Sequence, residues 1–199
     1  RSEGDLMSAL IIAEHDNDTL KAGTLNTITA ASALGDITVL VAGADCRTVA
    51  DAVCAVPGVT KVLLAEDAAL AHGLAENLAP LVVSAAADFD HVLAAATTFG
   101  KNLMPRVAAL LDVAQISEIT KVVDSDTFVR PIYAGNAMAT VKSGDATKVI
   151  TVRTTAFEPA AVEGGSATIE EISGAGDAGG ATFLSQELTK SERPELTSA

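Results

Sequence analysis

The residues with the clearest potential for binding chemistry lie in segment 97–118. Lys101 and Arg106 stand close to the predicted start of a helix that follows a short apolar run. Because the first backbone N–H groups of a helix have no intrahelical partner, these cations could help to hold a phosphate or a carboxylate. Alternatively, they pair with acids of a partner protein or of this chain. The candidates for an interface or an anion site are Phe99, Lys101, Asn102 and Arg106.

A second polar group, the loop from Glu14 to Asp18, places acids around His15. Such a loop could serve acid–base chemistry or bind a metal ion. Its spacing matches no calcium loop, because the required glycine and distal glutamate are absent, and no second histidine lies nearby in sequence. Turn formation and helix capping account for its aspartates. We therefore expect a structural role for this loop.

The glycines Gly174, Gly176 and Gly179 match the pattern of dinucleotide-binding turns. They lie in a glycine-rich stretch, and no complete βαβ unit follows them, so a flexible connector is the preferred interpretation. No serine or cysteine nucleophile sits in a recognisable turn, and no paired-carboxylate or zinc-ligand spacing occurs. The sequence therefore predicts a protein without catalytic residues of its own.

Alternating apolar runs and helical patterns organise the first part of the chain. A last helix is predicted after Leu103, with Pro105 in its first turn, where a missing N–H is tolerated. Strands that alternate with helices indicate an α/β fold with a mainly parallel sheet and helices on both faces. The predicted strands are Ala9–Ala13, Ile37–Val41, Lys61–Leu64 and His91–Ala95.

The alternation of strand and helix patterns ends after this region. Strand-like segments at Thr127–Ala134, Ala137–Lys142 and Thr147–Arg153 predict an antiparallel extension of the sheet. Pro131 cannot donate to a strand ladder, so its strand is expected to be an edge or to carry a bulge there. We interpret residues 1–156 as one domain and residues 157–199 as a Gly/Ala/Glu-rich connector and tail, loosely docked, with one short strand at Ala167–Ile172.

Composition narrows the classes of function. The 199 residues carry a formal net charge of −13, which argues against binding to nucleic acid or to an anionic membrane surface. No apolar run approaches the roughly twenty residues of a membrane span. Cys46 and Cys54, eight positions apart on one predicted helix, would lie about 12 Å apart, too far to bridge. They are interpreted as small apolar side chains in a reducing compartment.

Several strings, in this order, resemble the amino-terminal domain of the electron transfer flavoprotein alpha subunit. The likeness spans roughly Ser8 to Thr197. The strings are Ala13–His15 with Asn17, Leu25–Ala31, Val41–Gly43, Phe99–Leu103 with Pro105–Ala109, Asp126–Arg130, Ile132–Ala137 and Leu188–Thr197.

The resemblance implies a fold related to adenine-nucleotide hydrolases and a heterodimer with a beta subunit. It implies electron transfer from acyl-CoA and other dehydrogenases, in fatty acid β-oxidation, to a membrane-bound quinone reductase. The location would be the mitochondrial matrix in a eukaryote or the cytoplasm in a bacterium. In that family FAD is held mostly by a second, carboxyl-terminal domain of the alpha subunit, and AMP by the beta subunit.

The chain ends near the point where that flavin domain would begin, so we expect no cofactor ligand within it and no FAD bound to it alone. Its expected role is scaffold and docking surface for the beta subunit. Two alternatives remain open. The chain is a stand-alone nucleotide-binding domain that uses the crevice near Gly100 and Arg106, or a structural subunit of a larger respiratory assembly that has lost its flavin domain.

Overall fold

The computed structural model describes residues 7–187, which form a seven-stranded parallel sheet, a separate three-stranded antiparallel sheet and flanking helices. The parallel sheet has the order β10-β3-β2-β1-β4-β9-β5, and the small sheet has the order β6-β7-β8. The strands are β1 Ser8–Ile12, β2 Asp36–Gly43, β3 Val59–Glu66, β4 His91–Ala95, β5 Gln115–Ile119, β6 Lys121–Val122, β7 Thr127–Ile132, β8 Ala137–Lys142, β9 Lys148–Val152 and β10 Thr168–Glu171. The α-helices are α1 Ala22–Ala31, α2 Arg47–Cys54, α3 Ala75–Ala85 and α4 Thr98–Leu111.

Apolar side chains on both faces of the parallel strands make the sheet the middle of three layers. In β1, Ile11 packs in a cluster with Ile28 of α1 and Val49 of α2. Its neighbour Leu10 points to the other face and packs with residues of α3 and α4 such as Leu78. Because both faces of a parallel sheet are covered, its strands carry continuous apolar runs. The predicted α/β fold with helices on both faces is confirmed.

Helix α4 differs from the prediction for its sequence. It begins at Thr98, so Pro105 lies inside the helix and not in its first turn. Pro105 is exposed there, so the carbonyl of Lys101 that loses its helical donor can face water. The helix ends at Asp112, which adopts a left-handed conformation and donates its backbone N–H to the Ala108 carbonyl. The next residues form β5, a strand that the sequence analysis missed.

The antiparallel part is a sheet of its own. Phe128 of β7 is fully buried, and Val122 and Val141 pack beside it against the main core. Strand β9, predicted to belong to this antiparallel part, instead runs parallel between β4 and β5 in the main sheet. At Pro131 the expected edge is present, because β6 ends opposite Val129 and leaves only β8 as a neighbour.

Residues 157–187 lie against the domain and not loosely beside it. The N–H groups of Ala160 and Gly165 donate to the carbonyls of Leu25 and Ala55 at 3.2 and 2.7 Å. Strand β10 then pairs with β3 at the edge of the main sheet. The division at residue 156, and a connecting role for the segment after it, stay predictions.

Two ion pairs fix the side chains of β10. Glu170 contacts Lys61 at 2.7 Å and Glu171 contacts Arg47 at 3.0 Å. Both glutamates remain exposed at the outer edge of the sheet.

The structure also describes the two cysteines and the lengths of the helices. Cys46 and Cys54 are free thiols, and burial raises the pKa of both, that of Cys46 to about 11. Such thiols stay protonated and unreactive near neutral pH. None of the helices within residues 7–187 combines the length and apolar character needed to cross a bilayer.

Candidate functional site

The order of the strands creates a crevice at the carboxyl edge of the main sheet. From β1 the chain crosses to β2 and β3 on one side, and then to β4 on the opposite side of β1. The loops after β1 and β4 therefore diverge at a topological switch point, where α/β proteins bind ligands. Beside it lies a cavity of about 470 Å³, which we name the carboxyl cleft. Its lining includes His15, Asn17, His72, Gly73, Phe99 and Gln186.

The loop after β1 uses its polar side chains to hold its own turn. The Asp16 carboxylate accepts hydrogen bonds from the backbone N–H groups of Asp18 and Thr19, and from the Thr19 hydroxyl. It also pairs with Lys21. The bond from Lys21 and those from Thr19 hold the pKa of Asp16 far below its usual value. Asp16 is thus a turn-forming carboxylate, as predicted for this loop.

Asn17 joins three loops at the cleft. Its Nδ2 donates to the Ala71 carbonyl at 2.9 Å, and its Oδ1 accepts from the Ala44 N–H at 3.2 Å. These contacts connect the loops that follow β1, β2 and β3. The residue has a φ of 74°, a left-handed conformation that asparagine tolerates better than most residues.

His15 is held neutral beside Asn17. Its Nδ1 accepts the Asn17 backbone N–H at 3.1 Å, which places the ring proton on Nε2. Burial lowers the pKa of His15, so the imidazole carries no charge near neutral pH. Within residues 7–187 no cluster of His, Cys, Asp and Glu side chains is arranged to hold a metal ion. The loop therefore contributes shape and hydrogen bonds to the cleft.

A carboxylate already lies at the start of α4. Thr97 caps this helix by accepting the Gly100 N–H at 3.4 Å, and its hydroxyl donates to Glu14 Oε2 at 2.7 Å. A negative charge therefore stands next to the helix end where a phosphate would bind. Gly100 permits close packing, because a Cβ built on it would come within 1.9 Å of the Ala95 carbonyl oxygen.

The candidate residues of α4 do not converge on one point. Lys101 lies in the first turn and pairs with Glu118, whereas Arg106 lies mid-helix, 3.3 Å from Glu76. Asn102 is exposed, and Phe99 faces the carboxyl cleft. Both cations are thus paired with acids of this chain, the second of the two arrangements considered from the sequence.

The segment after β10 closes one side of the cleft. The ring of Phe183 stacks on His72 with centroids 3.6 Å apart, and the Ala178 N–H donates to Asn77 Oδ1 at 2.9 Å. Gly174 passes Asp67 so closely that a Cβ there would lie 2.7 Å from Asp67 Oδ2. No helix follows these glycines within the part of the chain described, up to residue 187. Of the three glycines, Gly174 permits close packing beside an acid, whereas a Cβ at Gly176 or Gly179 would meet no atom within 4 Å.

The amino-acid sequence of this chain is similar to the sequences of one known protein family. The electron transfer flavoprotein domain family matches residues 9–176. The electron transfer flavoprotein subunit alpha of Pseudomonas aeruginosa is 61% identical over 194 residues, which cover 97% of this chain and 63% of that protein. The mitochondrial subunit alpha of Dictyostelium discoideum is 52% identical over 209 residues, covering 96% of this chain and 59% of that protein. The chain belongs to the electron transfer flavoprotein family.

This membership confirms the resemblance seen in the sequence. The chain spans about three-fifths of the length of these relatives. Among the strings that carried the resemblance, Phe99–Leu103 forms the first turns of α4, and Ile132–Ala137 forms the turn of the β7–β8 hairpin. The string Leu188–Thr197 lies outside the described residues.

The β7–β8 hairpin, residues 127–142, is a surface of this electron transfer flavoprotein domain that the sequence analysis passed over. Tyr133 at its tip is 80% exposed, and Met138 on β8 is 55% exposed. Tyr133 and Ala134 have φ values of 50° and 53°, both in the left-handed region. A signal was present in the sequence, because Tyr133 is the only tyrosine of the chain and residues 127–144 contain no acid.

A smaller cavity of about 340 Å³ lies between β5 and this hairpin. Arg130 lines this cavity and donates its Nε to the Ser117 carbonyl at 2.9 Å. Arg130 thus fastens the hairpin to the edge strand β5.

Proposed function

We propose that this chain is the scaffold domain of an electron transfer flavoprotein of the alpha type. The complete protein would carry electrons from acyl-CoA and other dehydrogenases to a quinone reductase, and this domain would dock a beta subunit. The observation that carries the proposal is the 61% identity to a relative named as subunit alpha, over nearly the whole chain. The domain would supply rigid support and surface without catalytic residues of its own.

At two places the described residues put a negative charge where the diphosphate of a flavin dinucleotide would bind. Thr97 caps the start of α4 beside the Glu14 carboxylate. Gly174 passes close to the carboxylate of Asp67. We therefore assign FAD to the part of the relatives that this chain does not match, and AMP to the beta subunit.

The colour of the purified chain tests this assignment. The chain alone is expected to show no flavin absorbance after gel filtration. A stoichiometric flavin spectrum that stays with the isolated chain would overturn the proposal. With its beta-type companion the chain is expected to form a stable heterodimer, and failure to associate would count equally against it.

The exposed side of α4 is one proposed contact for the companion or for an anionic group. Its residues are Lys101, Asn102 and Arg106, and Phe99 lies beside it toward the carboxyl cleft. Lys101→Glu and Arg106→Glu reverse charge on this side and are expected to weaken binding through repulsion. Arg47→Glu on α2 is a matched control, because Arg47 is as exposed as Lys101. Unchanged affinity in both α4 variants would remove these residues from the interface.

The location of the protein would follow its source. The relative from Dictyostelium discoideum is named as mitochondrial. We propose the mitochondrial matrix for a eukaryotic source and the cytoplasm for a bacterial one. Fractionation of cells that express the native gene tests this.

A further inference from the structure

We propose that the outer face and free edge of the β7–β8 hairpin form the docking site for the beta-type companion subunit, with Tyr133 as its central anchor. This inference rests on the proposed function, because that function supplies the companion. It goes further by naming a surface and a mode of recognition.

The first support is the division of the small sheet into two faces. Phe128 and Val141 lie opposite each other across β7 and β8 and point into the core. Side chains alternate along a strand, so the pair Pro131 and Met138 points outward. Met138 is 55% exposed and Pro131 is half-buried, so this apolar face is partly open to solvent.

The second support is the tip. A tyrosine ring that is 80% exposed is the type of residue that most often dominates a protein interface. Here the backbone of the tip is also held in place. Asn136 donates both its backbone N–H and its Nδ2 to the Tyr133 carbonyl, at 3.1 and 2.9 Å. A braced turn loses little backbone freedom when its exposed ring binds a partner.

The third support is strain. Tyr133, Ala134 and Gly135 have consecutive positive φ values of 50°, 53° and 88°. Only glycine adopts this conformation without penalty, yet two of the three residues carry side chains. The turn therefore holds Tyr133 outward in an unfavourable backbone conformation, although the exposed ring gains little packing within this domain.

The fourth support identifies the occupant as a protein with an extended segment. Strand β8 is the outer strand of its sheet, and no other strand within residues 7–187 pairs with its free edge. Such an edge accepts a strand from another chain through main-chain hydrogen bonds. The cations of this region are already used within the domain, because Arg130 donates to the Ser117 carbonyl and Lys142 pairs with Asp126 at 3.0 Å. The free edge therefore offers main-chain groups beside apolar side chains, and the companion is expected to offer an extended strand with an apolar pocket.

The test is binding of the full chain to its beta-type companion, measured by calorimetry. Tyr133→Ala is expected to weaken binding at least tenfold, and Tyr133→Ala with Met138→Asp about a hundredfold. Both side chains are exposed, so thermal unfolding of the free chain should change little. Val162→Asp is the matched control, since Val162 is 60% exposed on a surface away from the hairpin, and it should bind like the wild type.

Hydrogen exchange locates the contact directly. Amides of residues 137–142 are expected to exchange more slowly in the complex, since the free edge of β8 becomes paired. A wild-type chain that does not bind the companion overturns the proposed function and this inference together. A wild-type chain that binds, with hairpin variants that bind equally well, overturns this inference alone. A homodimer of the chain that Tyr133→Ala dissolves would also overturn it, because the occupant would then be a second copy.

Discussion

The carboxyl cleft and the β7–β8 hairpin use their polar and apolar groups in opposite ways. In the cleft, the side-chain amide of Asn17 hydrogen-bonds to two neighbouring loops, and the Thr97 hydroxyl donates to Glu14. On the hairpin, the only tyrosine of the chain faces solvent on a turn with unfavourable backbone angles. These polar groups of the cleft have hydrogen-bond partners within the domain, whereas the ring of Tyr133 on the hairpin is largely exposed. The comparison teaches that polar side chains around the carboxyl cleft are bonded within the domain, although a cavity of about 470 Å³ remains there, while the added sheet exposes an unpartnered surface.

The largest expected effect tests how tightly the cleft side is packed. Gly100→Ala would force a methyl group to within 1.9 Å of the Ala95 carbonyl oxygen. The helix must shift, so we expect a loss of about 3 kcal/mol and a melting temperature lower by roughly 6–12 °C. Gly144→Ala, next to the hairpin, is the matched control because its Cβ would meet no atom within 4 Å. Equal melting temperatures for the two variants would contradict the contrast.

The next effect concerns two histidines, the half-buried His15 in the cleft and the buried His91 of β4. Burial lowers the pKa of His15 in the cleft and of His91, whose Nε2 donates to the Ser125 carbonyl ahead of β7 at 2.6 Å. The groups that face His91 also include the Ser8 backbone, Asp90 and Lys148. A folded-state pKa below the unfolded value of 6.5 means stability that is full above that pH and is lost as pH falls through the folded pKa.

His91→Gln keeps a donor for the Ser125 carbonyl and removes the titration. We expect it to cost about 1 kcal/mol at pH 8 and to flatten the fall in stability between about pH 7 and pH 5. Urea unfolding across this pH range measures it, with His15→Gln as the counterpart in the cleft. If the wild type and His91→Gln lose stability in parallel on acidification, His91 does not contribute to the acid response.

A smaller effect tests whether the segment after β10 truly closes the cleft. Phe183→Ala removes the ring that stacks on His72 and is expected to cost about 0.5–1.5 kcal/mol of local stability. Faster hydrogen exchange at the Ala178 amide, which donates to Asn77, would report the loosening. Leu184→Ala is the control, since Leu184 is 89% exposed. The same exchange rate in both variants would mean that the ring does not hold the segment.

The smallest effect tests strain at the hairpin tip and has the opposite sign. Ala134→Gly places glycine at a φ of 53° and is expected to stabilise the chain by about 0.5 kcal/mol. Ala139→Gly, within β8, should destabilise by about 0.5–1 kcal/mol, because glycine in a strand only adds freedom to the unfolded chain. Thermal melts of the two variants against the wild type give the signs. A destabilised Ala134→Gly variant would show that the tip is relaxed.

Local patterns sufficed for much of the fold. The strands His91–Ala95 and Ala137–Lys142 were predicted with the bounds that the structure gives, because polar or glycine residues lie close to both ends of each run. No glycine marks the end of α4 in the sequence. Asp112 takes the left-handed position where glycine is usual, so the local pattern did not show where the helix ends and β5 begins.

The remaining features depend on contacts between residues that are distant in sequence, which local patterns do not reveal. The parallel position of β9 depends on β4 and β5, which lie distant in sequence, and its own alternation is equally compatible with an antiparallel hairpin. For the candidate site, the acids that pair with Lys101 and Arg106 are Glu118 and Glu76, on other elements of the fold. The sequence showed the cations but not whether they were already occupied. Tyr133 fell inside the predicted strand Thr127–Ala134, so its position at an exposed turn was not predicted.

The glutamates of β10 have a consequence for crowded solutions of this protein. An outermost strand of a sheet invites a second molecule to add its own strand, which is a common first step of aggregation. Here any copy that approached edge to edge would bring Glu170 and Glu171 against the same two carboxylates, and each is already committed to a cation of its own chain. The edge of the main sheet formed by β10 is thereby disfavoured as a site of strand pairing between molecules.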